Sequence, residues 1–462
     1  MKTITSDKSK IYFIILFTLC IILPNIIPLT LYYLGYMSID RTLIFLAYCA
    51  CLLIIFFFSS RRLVKWLFFG GYICLTFLDY ALIVKESFFL DFIDVFLHSK
   101  DVLNFDYREN IVYYYSIIAI ISYIILSFIL IGWTGRYAAQ NRNKVTFFVS
   151  LGISLLIFIP FYLVQYTEPK GVILEGKLIN VERGAVIDSA TAESKLIDYS
   201  TNNKNYIVII TEALGLPKDN DLHDLLFSMF YSKDIESKYI VTEGKVPYKG
   251  NTYWGEIREL CDVYYHYLDI MEGKTVDCIP EKLKKQGYET IAFRSYLQDF
   301  FSFNKWYKLI GFDKIYLGDE LLQGMRYPAK ICKNLFTGLC DADAIHVIKE
   351  KLDQATQPTF FYWVTVNSHQ PVTLQKIVPE RFYCDDADKR IGTDEVCRTV
   401  EIWYELFTHV VKVALELENT EILLVGDHAP PFLKRQSRSY FSNEYVPWIR
   451  LSPRTNTAPD TP

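Results

Sequence analysis

EILLVGDHAPPF, residues 421–432, sets an aspartate beside a histidine at the point where an apolar run ends. The run reads as a buried strand, and Pro430 and Pro431 stop any regular continuation. Asp427 and His428 therefore stand where the strand surfaces, either as ligands or as a structural turn.

Working outward, an earlier strand with an acidic end, NYIVIITEALG, opens a domain and carries Glu212. Polar helical stretches then alternate with compact apolar segments. DLHDLLFSMFYSK precedes KYIVTEG, a helix is expected at GEIRELCDVYYHYLDI, and IPEKLKKQGYETIAF follows. DADAIHVIKEKLDQA precedes PTFFYWVTVNSHQP, and a long helix around TVEIWYELFTHVVKVALELENT leads into the opening stretch. This alternation predicts an α/β domain with a mostly parallel central sheet. Sheets of that kind hold ligands beyond the carboxyl ends of their strands. Three strand ends carry suitable chemistry: Glu212, His369, and Asp427 with His428. Taken singly, Glu212 also reads as a helix-capping acid and His369 as a turn histidine.

Composition explains the rest of the chain. Its 462 residues are 51% hydrophobic and 22% charged, with a net charge of -4, which gives no support to nucleic-acid binding. Residues 11–37, 42–58, 64–84, 111–133 and 145–165 each form an apolar run of about membrane-crossing length, which predicts five spans. The first is too long, and followed by too many others, for a removed signal peptide. Lys2, Lys8 and Lys10 precede the first span, while Arg61, Arg62 and Lys65, then Arg136, Arg142 and Lys144, mark alternate loops. The positive-inside bias thus places the amino terminus in the cytoplasm and everything after residue 165 outside it. The expected organisation is a transmembrane domain over 1–165, a linker over 166–204 and a catalytic domain over 205–462.

Cysteine usage agrees with that sidedness. Cys20, Cys49, Cys51 and Cys74 lie in or beside the spans, whereas Cys261, Cys278, Cys332, Cys340, Cys384 and Cys397 fall in the outward part. Fifteen pairings are combinatorially open. The sequential pairs are expected because each closes a short local loop.

The segment GKVPYKGNTYWGEIREL supplies a nucleophile candidate. Thr252 follows Gly250 and Asn251 at the start of a helical stretch, where it reads as a cap or as an attacking alcohol. In the second reading the unpaired N–H groups of the helix start bind a phosphate, and a metal lowers the alcohol's pKa. Glu212, Asp427 and His428 complete a mixed oxygen and nitrogen set with Thr252, which suits one divalent ion, zinc or manganese, with room for a second.

With these residues in view, the chain resembles the membrane-anchored phosphoethanolamine and phosphoglycerol transferases, a lipoteichoic acid synthase-like group within the sulfatase and alkaline phosphatase superfamily. The resemblance covers almost the whole chain. Its strand with Glu-Ser or Glu-Ala is similar to IITEALG, its threonine to GNTYWGE, its Asp-His-Gly to GDHAPPF with Ala429 in place of glycine, and its substrate histidine to TVNSHQP. AFRSYLQDFFSFNKWYKLIGFDKIY resembles the region that approaches the transferred headgroup. There Arg294 replaces a synthase histidine, and Phe301 and Phe303 replace tryptophan and arginine, a departure that points away from a polyglycerolphosphate synthase.

The resemblance implies an alkaline phosphatase or sulfatase-like domain behind the five spans. It implies Thr252 and His369 as catalytic residues, Glu212, Thr252, Asp427 and His428 as metal ligands, and Arg294 with His369 at the substrate. The implied reaction moves a phospho-alcohol from phosphatidylethanolamine or phosphatidylglycerol to an envelope glycan, lipopolysaccharide or capsule acceptor, through a phospho-threonine. The implied location is the bacterial inner membrane, multi-pass, with the catalytic domain in the periplasm or extracellular space. Two alternatives accompany it: a phosphodiesterase or sulfuric-ester hydrolase of the same superfamily, and a catalytically silent membrane scaffold or sensor. No Cys-x-Pro-x-Arg segment lies near Thr252, which weighs against a formylglycine sulfatase. His223, His266, His346 and His409 read as structural or surface residues in helices, and His98 as a residue of an outer loop.

Overall fold

The computed structural model describes residues 2–33, 35, 42–58, 62–88, 91–97, 111–140, 144–167, 181–200, 204–334, 336–372 and 377–454. His98 lies outside the described residues. The chain separates into two compact units, one of residues 1–96, 111–170 and 433–435, the other of 97–110, 171–432 and 436–462.

Five long helices, Lys2–Tyr33, Thr42–Phe58, Arg62–Phe88, Ile111–Gln140 and Lys144–Thr167, make up most of the first unit. Their interior is aromatic: Phe13, Phe17, Phe45, Tyr48, Phe56 and Tyr72 pack together, and Tyr48 donates to the buried Asp79 at 3.1 Å. Their outer surface carries Leu43, Leu63, Leu67, Phe148 and Leu156, all exposed. Apolar residues on both sides fit a hydrocarbon surrounding rather than water. Among the described residues, Lys8–Asn25 and Trp66–Ile83 are long and apolar enough to cross a membrane, while Thr42–Phe56, Ile120–Thr134 and Val145–Ile159 are shorter apolar stretches. The amino-terminal region is therefore helical and membrane-associated in character, with two helices that meet the length for a span.

In the second unit the strands are β1 (Asn205–Thr211), β2 (Tyr239–Pro247), β3 (Glu289–Arg294), β4 (Lys314–Leu317), β5 (Ile331–Cys332), β6 (Gly338–Leu339), β7 (Thr359–Val364), β8 (Thr420–Gly426) and β9 (Tyr445–Pro453). Seven form one sheet in the order β2-β9-β8-β1-β7-β3-β4, and β5 and β6 form a separate ribbon. From β8 to β4 every pairing is parallel. Burial on both faces demands unbroken apolar strands, and β1, β7 and β8 are buried almost throughout. β9 runs antiparallel to β8 and to β2, so the sheet is mixed rather than purely parallel. Pro447 masks β9 in the sequence. It pairs only with Lys245 of β2, beyond the last β8 partner at Trp448, where its missing N–H costs no ladder bond.

Helix periodicity also has a local exception. GEIRELCDVYYHYLDI is not one helix: Thr252–Cys261 ends at Asp262, which takes the left-handed conformation at φ 52°, and Tyr267–Met271 is a second helix. Val263 instead bridges Val186. Residues 181–200, expected within a linker, carry the short helix Ala190–Glu193, where Thr191 binds Glu259 through backbone N–H and hydroxyl. The three sequential disulfides, Cys261–Cys278, Cys332–Cys340 and Cys384–Cys397, are all present.

Candidate active site and metal centre

Strand register brings the chemistry together. Thr211 pairs with Gly426, while Ile210 and Arg294 both pair with Val364, so β8, β1, β7 and β3 end nearly level. Glu212 follows β1 directly, Asp427 and His428 follow β8, Arg294 is the last residue of β3, and His369 lies on the loop after β7.

Close backbone approach sets the β1–β8 end. A Cβ on Gly426 would stand 2.1 Å from the Leu214 carbonyl oxygen, and one on Gly255 would stand 2.8 Å from the Asp427 Cα and Cβ. Gly426 thus permits the close approach of the β8 end to the segment after β1, and Gly255 that of the helix Thr252–Cys261 to Asp427. The buried Arg258 fastens the same junction, donating to the Gly426 carbonyl at 2.7 Å and to Glu259 at 2.6 Å.

The carboxylates are held by one oxygen each. Asp427 Oδ1 accepts from the backbone N–H of Ala213 and of His428, both at 2.7 Å. Ala213 adopts φ 54°, a left-handed conformation for a residue with a Cβ, at the turn that makes this bond. Glu212 has its backbone fixed by Thr365, Ser368 and Trp403. Its Oε2 accepts from the Thr252 hydroxyl at 3.1 Å.

The other oxygens, Glu212 Oε1 and Asp427 Oδ2, are buried without a hydrogen-bond partner. They lie 3.6 and 3.4 Å from His428 Nε2. His428 Nδ1 stands 2.9 Å from the Ala429 carbonyl, which assigns the proton to Nδ1 and leaves the Nε2 lone pair facing both carboxylates. Burial, and after it the charge of Asp427, push the Glu212 pKa well above the ordinary carboxylate range. Two orphaned carboxylate oxygens and one imidazole lone pair converging in a buried space match the donor set of a divalent cation. The residues present therefore fit a metal ion.

Thr252 does not cap its helix. Asn251 is the N-cap and Thr252 the first helical residue, with its hydroxyl directed to Glu212. His369 is half-buried beyond β7, with Nδ1 2.8 Å from the Gln370 carbonyl and its ring edge-on to Phe336 at 4.1 Å. Burial, with the neighbouring His428, pushes its imidazole down to about 3, so the ring is neutral with Nε2 unprotonated. Its loop is held by Asp341, which accepts from the Val366 and Asn367 N–H groups, and by Asn334, which donates to the Asn367 carbonyl at 3.2 Å.

Arg294 closes the β3 end. Its Nη1 donates to Glu256 Oε1 at 2.7 Å, the guanidinium lies 4.4 Å from the Phe303 ring centre, and Tyr307 donates to Glu256 Oε2. Burial works most strongly against its charge, but Glu256, Tyr307, Tyr362 and Glu212 together outweigh it and hold the guanidinium above its ordinary value. The sequence singled out Arg294 without Glu256, Tyr307, Arg258 or Asp341. Glu256 was findable, since it lies one helical turn after Thr252 on the same face. The remaining histidines lie elsewhere: His223 on the helix Asn220–Phe227, His266 as the cap of Tyr267–Met271, and His346 and His409 bonded to each other at 2.8 Å.

Residues 249–457 match the sulfatase family, a stretch that includes Thr252, Arg294, His369, Asp427 and His428 but not Glu212. No curated protein matches the chain. Among solved structures, the lipoteichoic acid synthase LtaP from Listeria monocytogenes is 15% identical, with a TM-score of 0.40, covering 59% of this chain and 70% of that one. The zinc complex of the carboxyl-terminal periplasmic domain of EptC from Escherichia coli is 11% identical, with a TM-score of 0.37 and coverage of 59% and 77%. The phosphoglycerol transferase GacH from Streptococcus pyogenes, in complex with sn-glycerol-1-phosphate, is 18% identical, with a TM-score of 0.35 and coverage of 58% and 77%. The match to the sulfatase family thus falls on the mixed α/β domain, at whose strand ends the metal-fitting cluster lies.

Proposed function

We propose that the protein is a membrane-anchored transferase that moves a phospho-alcohol headgroup from a membrane phospholipid to a hydroxyl of a cell-envelope glycan or glycolipid, through a phospho-threonine at Thr252. The observation that carries this reading is the Thr252 hydroxyl, bonded to Glu212 at 3.1 Å instead of capping its helix, beside two orphaned carboxylate oxygens. Five spans over 1–165, a linker over 166–204 and an extracytoplasmic domain over 205–462 belong to the same proposal, supported by the alternation of basic loops and by the three disulfides.

Glu212, Thr252, Asp427 and His428 would hold the ion, zinc or manganese. When bound, it supplies a lowered hydroxyl pKa at Thr252 and neutralises charge on the phosphoryl oxygens. Glu212 Oε2 orients the Thr252 hydroxyl and receives its proton. The Thr252 oxygen attacks phosphorus, a new P–O bond forms, and the bond to diacylglycerol breaks. The departing oxygen takes up a proton, which leaves the headgroup phosphate on Thr252. In the second step His369 Nε2 accepts the proton of the acceptor hydroxyl, whose oxygen displaces Thr252 from phosphorus. The proton returns to the threonine oxygen as its alcohol is restored. N–H groups at the start of the helix Thr252–Cys261 supply fixed dipoles toward the phosphoryl oxygens in both displacements.

The test is to incubate the full-length protein with headgroup-labelled phospholipid, then map label on the Thr252 peptide and measure released diacylglycerol. Thr252→Ser should retain some turnover, whereas Thr252→Ala should fold, bear no label and transfer nothing. Full transfer by a folded, metal-loaded Thr252→Ala protein would remove the covalent mechanism.

A further inference from the structure

Glu256 sits one turn after Thr252, so its side chain leaves the same face of the helix, about 5–6 Å along it. Both of its oxygens are engaged, one by Arg294 and one by Tyr307. Phe303 covers one face of the guanidinium. All four residues are buried, and the Arg294 guanidinium lies close enough to the Glu212 carboxylate to interact with its charge. The cluster is thus anchored on the helix that Thr252 opens and acts on Glu212, the partner of the Thr252 hydroxyl.

Charge decides what such a cluster can receive. Arg294 is permanently cationic, Glu256 contributes at most one negative charge, and Tyr307 is neutral, so the net charge is zero or positive. Glu212 and Asp427 would be taken up by the metal ion, and Asp341 accepts the Val366 and Asn367 N–H groups. Among the described residues, an ammonium in the headgroup would therefore meet a guanidinium whose carboxylate partner, Glu256, is already engaged on both oxygens. Hydroxyl or phosphoryl oxygens would meet donors fixed in a planar fork.

We propose that Glu256 and Tyr307 are positioning residues that present the Arg294 guanidinium to the headgroup on Thr252, and that Arg294 selects a headgroup bearing hydroxyls and no cation, phosphoglycerol over phosphoethanolamine. This rests on the transferase reading above. The two donors differ in the group that Arg294 would meet and share the phosphodiester at which Thr252 acts, so the cluster governs choice of donor rather than the bond-making step.

The test loads the full-length, metal-replete protein in mixed micelles containing equal amounts of phosphatidylglycerol and phosphatidylethanolamine, and weighs the Thr252 peptide. The glycerophosphoryl adduct should exceed the phosphoethanolamine adduct about tenfold, a difference of about 1.4 kcal/mol between the two barriers. Arg294→Gln should bring the ratio toward unity, with KM for phosphatidylglycerol rising more than kcat falls. Glu256→Gln and Tyr307→Phe should narrow the ratio less, because the guanidinium remains but is released from its anchor. Tyr307→Phe removes one oxygen and keeps the ring, so it carries the test if a charge substitution prevents folding. An excess of the phosphoethanolamine adduct, or a ratio unmoved by the substitutions in folded, metal-loaded protein, overturns the selection and leaves the transferase reading standing. No adduct of either kind on the wild-type protein overturns both.

Discussion

The two sides of the strand-end row satisfy their polar groups in opposite ways. At the β1–β8 end, Glu212 Oε1 and Asp427 Oδ2 are buried, close to each other's charge and without hydrogen bonds. At the β7–β3 end, Arg294 is paired with Glu256, Asp341 accepts backbone N–H groups, and His369 faces the Gln370 carbonyl. Uncompensated buried carboxylates are costly, so the first end is built around a charge that the chain itself does not supply. The second end pairs its charged groups within the chain, Arg294 with Glu256 and Asp341 with backbone N–H groups. One end of the row therefore fits a cation, and the other holds its charged groups in an internally paired frame.

The largest break in that contrast is Asp427→Asn. It keeps shape and the Oδ1 contacts to Ala213 and His428 while removing the anion at Oδ2. Metal content measured by mass spectrometry should collapse, and turnover should fall on the order of a thousandfold. Calorimetry adds a second arm: without metal the variant should melt above the metal-free wild type, because the repulsion that raises Glu212 is gone. It should also lose the wild type's rise in Tm on adding metal. A variant that still gains stability from metal would place the cation elsewhere. His369→Gln probes the other end. It should lower turnover by roughly 10²–10⁴ with metal content unchanged, and a matching loss of metal would move His369 into the ligand set.

The same contrast explains what the sequence made legible. Glu212, Asp427 and His428 ended runs buried on both faces, and a polar residue at such a boundary is visible as a change of composition. The short-loop disulfides were visible as spacing. Glu256 was readable only from its place one turn after Thr252, and Tyr307, Arg258 and Asp341 were not readable, because they act through contacts distant in sequence and each looks like an ordinary helix residue. β9 escaped because Pro447 is tolerated only where β8 no longer pairs, a fact of register. The break at Asp262 escaped because the apolar pattern continues across it while the backbone turns left-handed. Membrane character was plain from apolar run length, and the outward leucines and phenylalanines agree with it.

Gly255→Ala gives the smallest and sharpest separation of the two ends. Alanine favours helix over glycine by about 1 kcal/mol, so propensity alone predicts a more stable protein. The added methyl, however, would stand 2.8 Å from the Asp427 Cα and Cβ, with no flexible side-chain end to yield. Overpacking of that kind costs about 1–3 kcal/mol, so the helix and the β8 end should part slightly and the net loss should be about 0–2 kcal/mol. The displacement falls on Asp427 rather than on Arg294, which approaches the helix from β3 through Glu256. Metal affinity should therefore weaken measurably by titration, while the ratio of glycerophosphoryl to phosphoethanolamine adduct on Thr252 stays at the wild-type value. Were the adduct ratio to shift with metal affinity unchanged, the helix would be coupling to the substrate frame instead, and the division between the two ends would have to be redrawn.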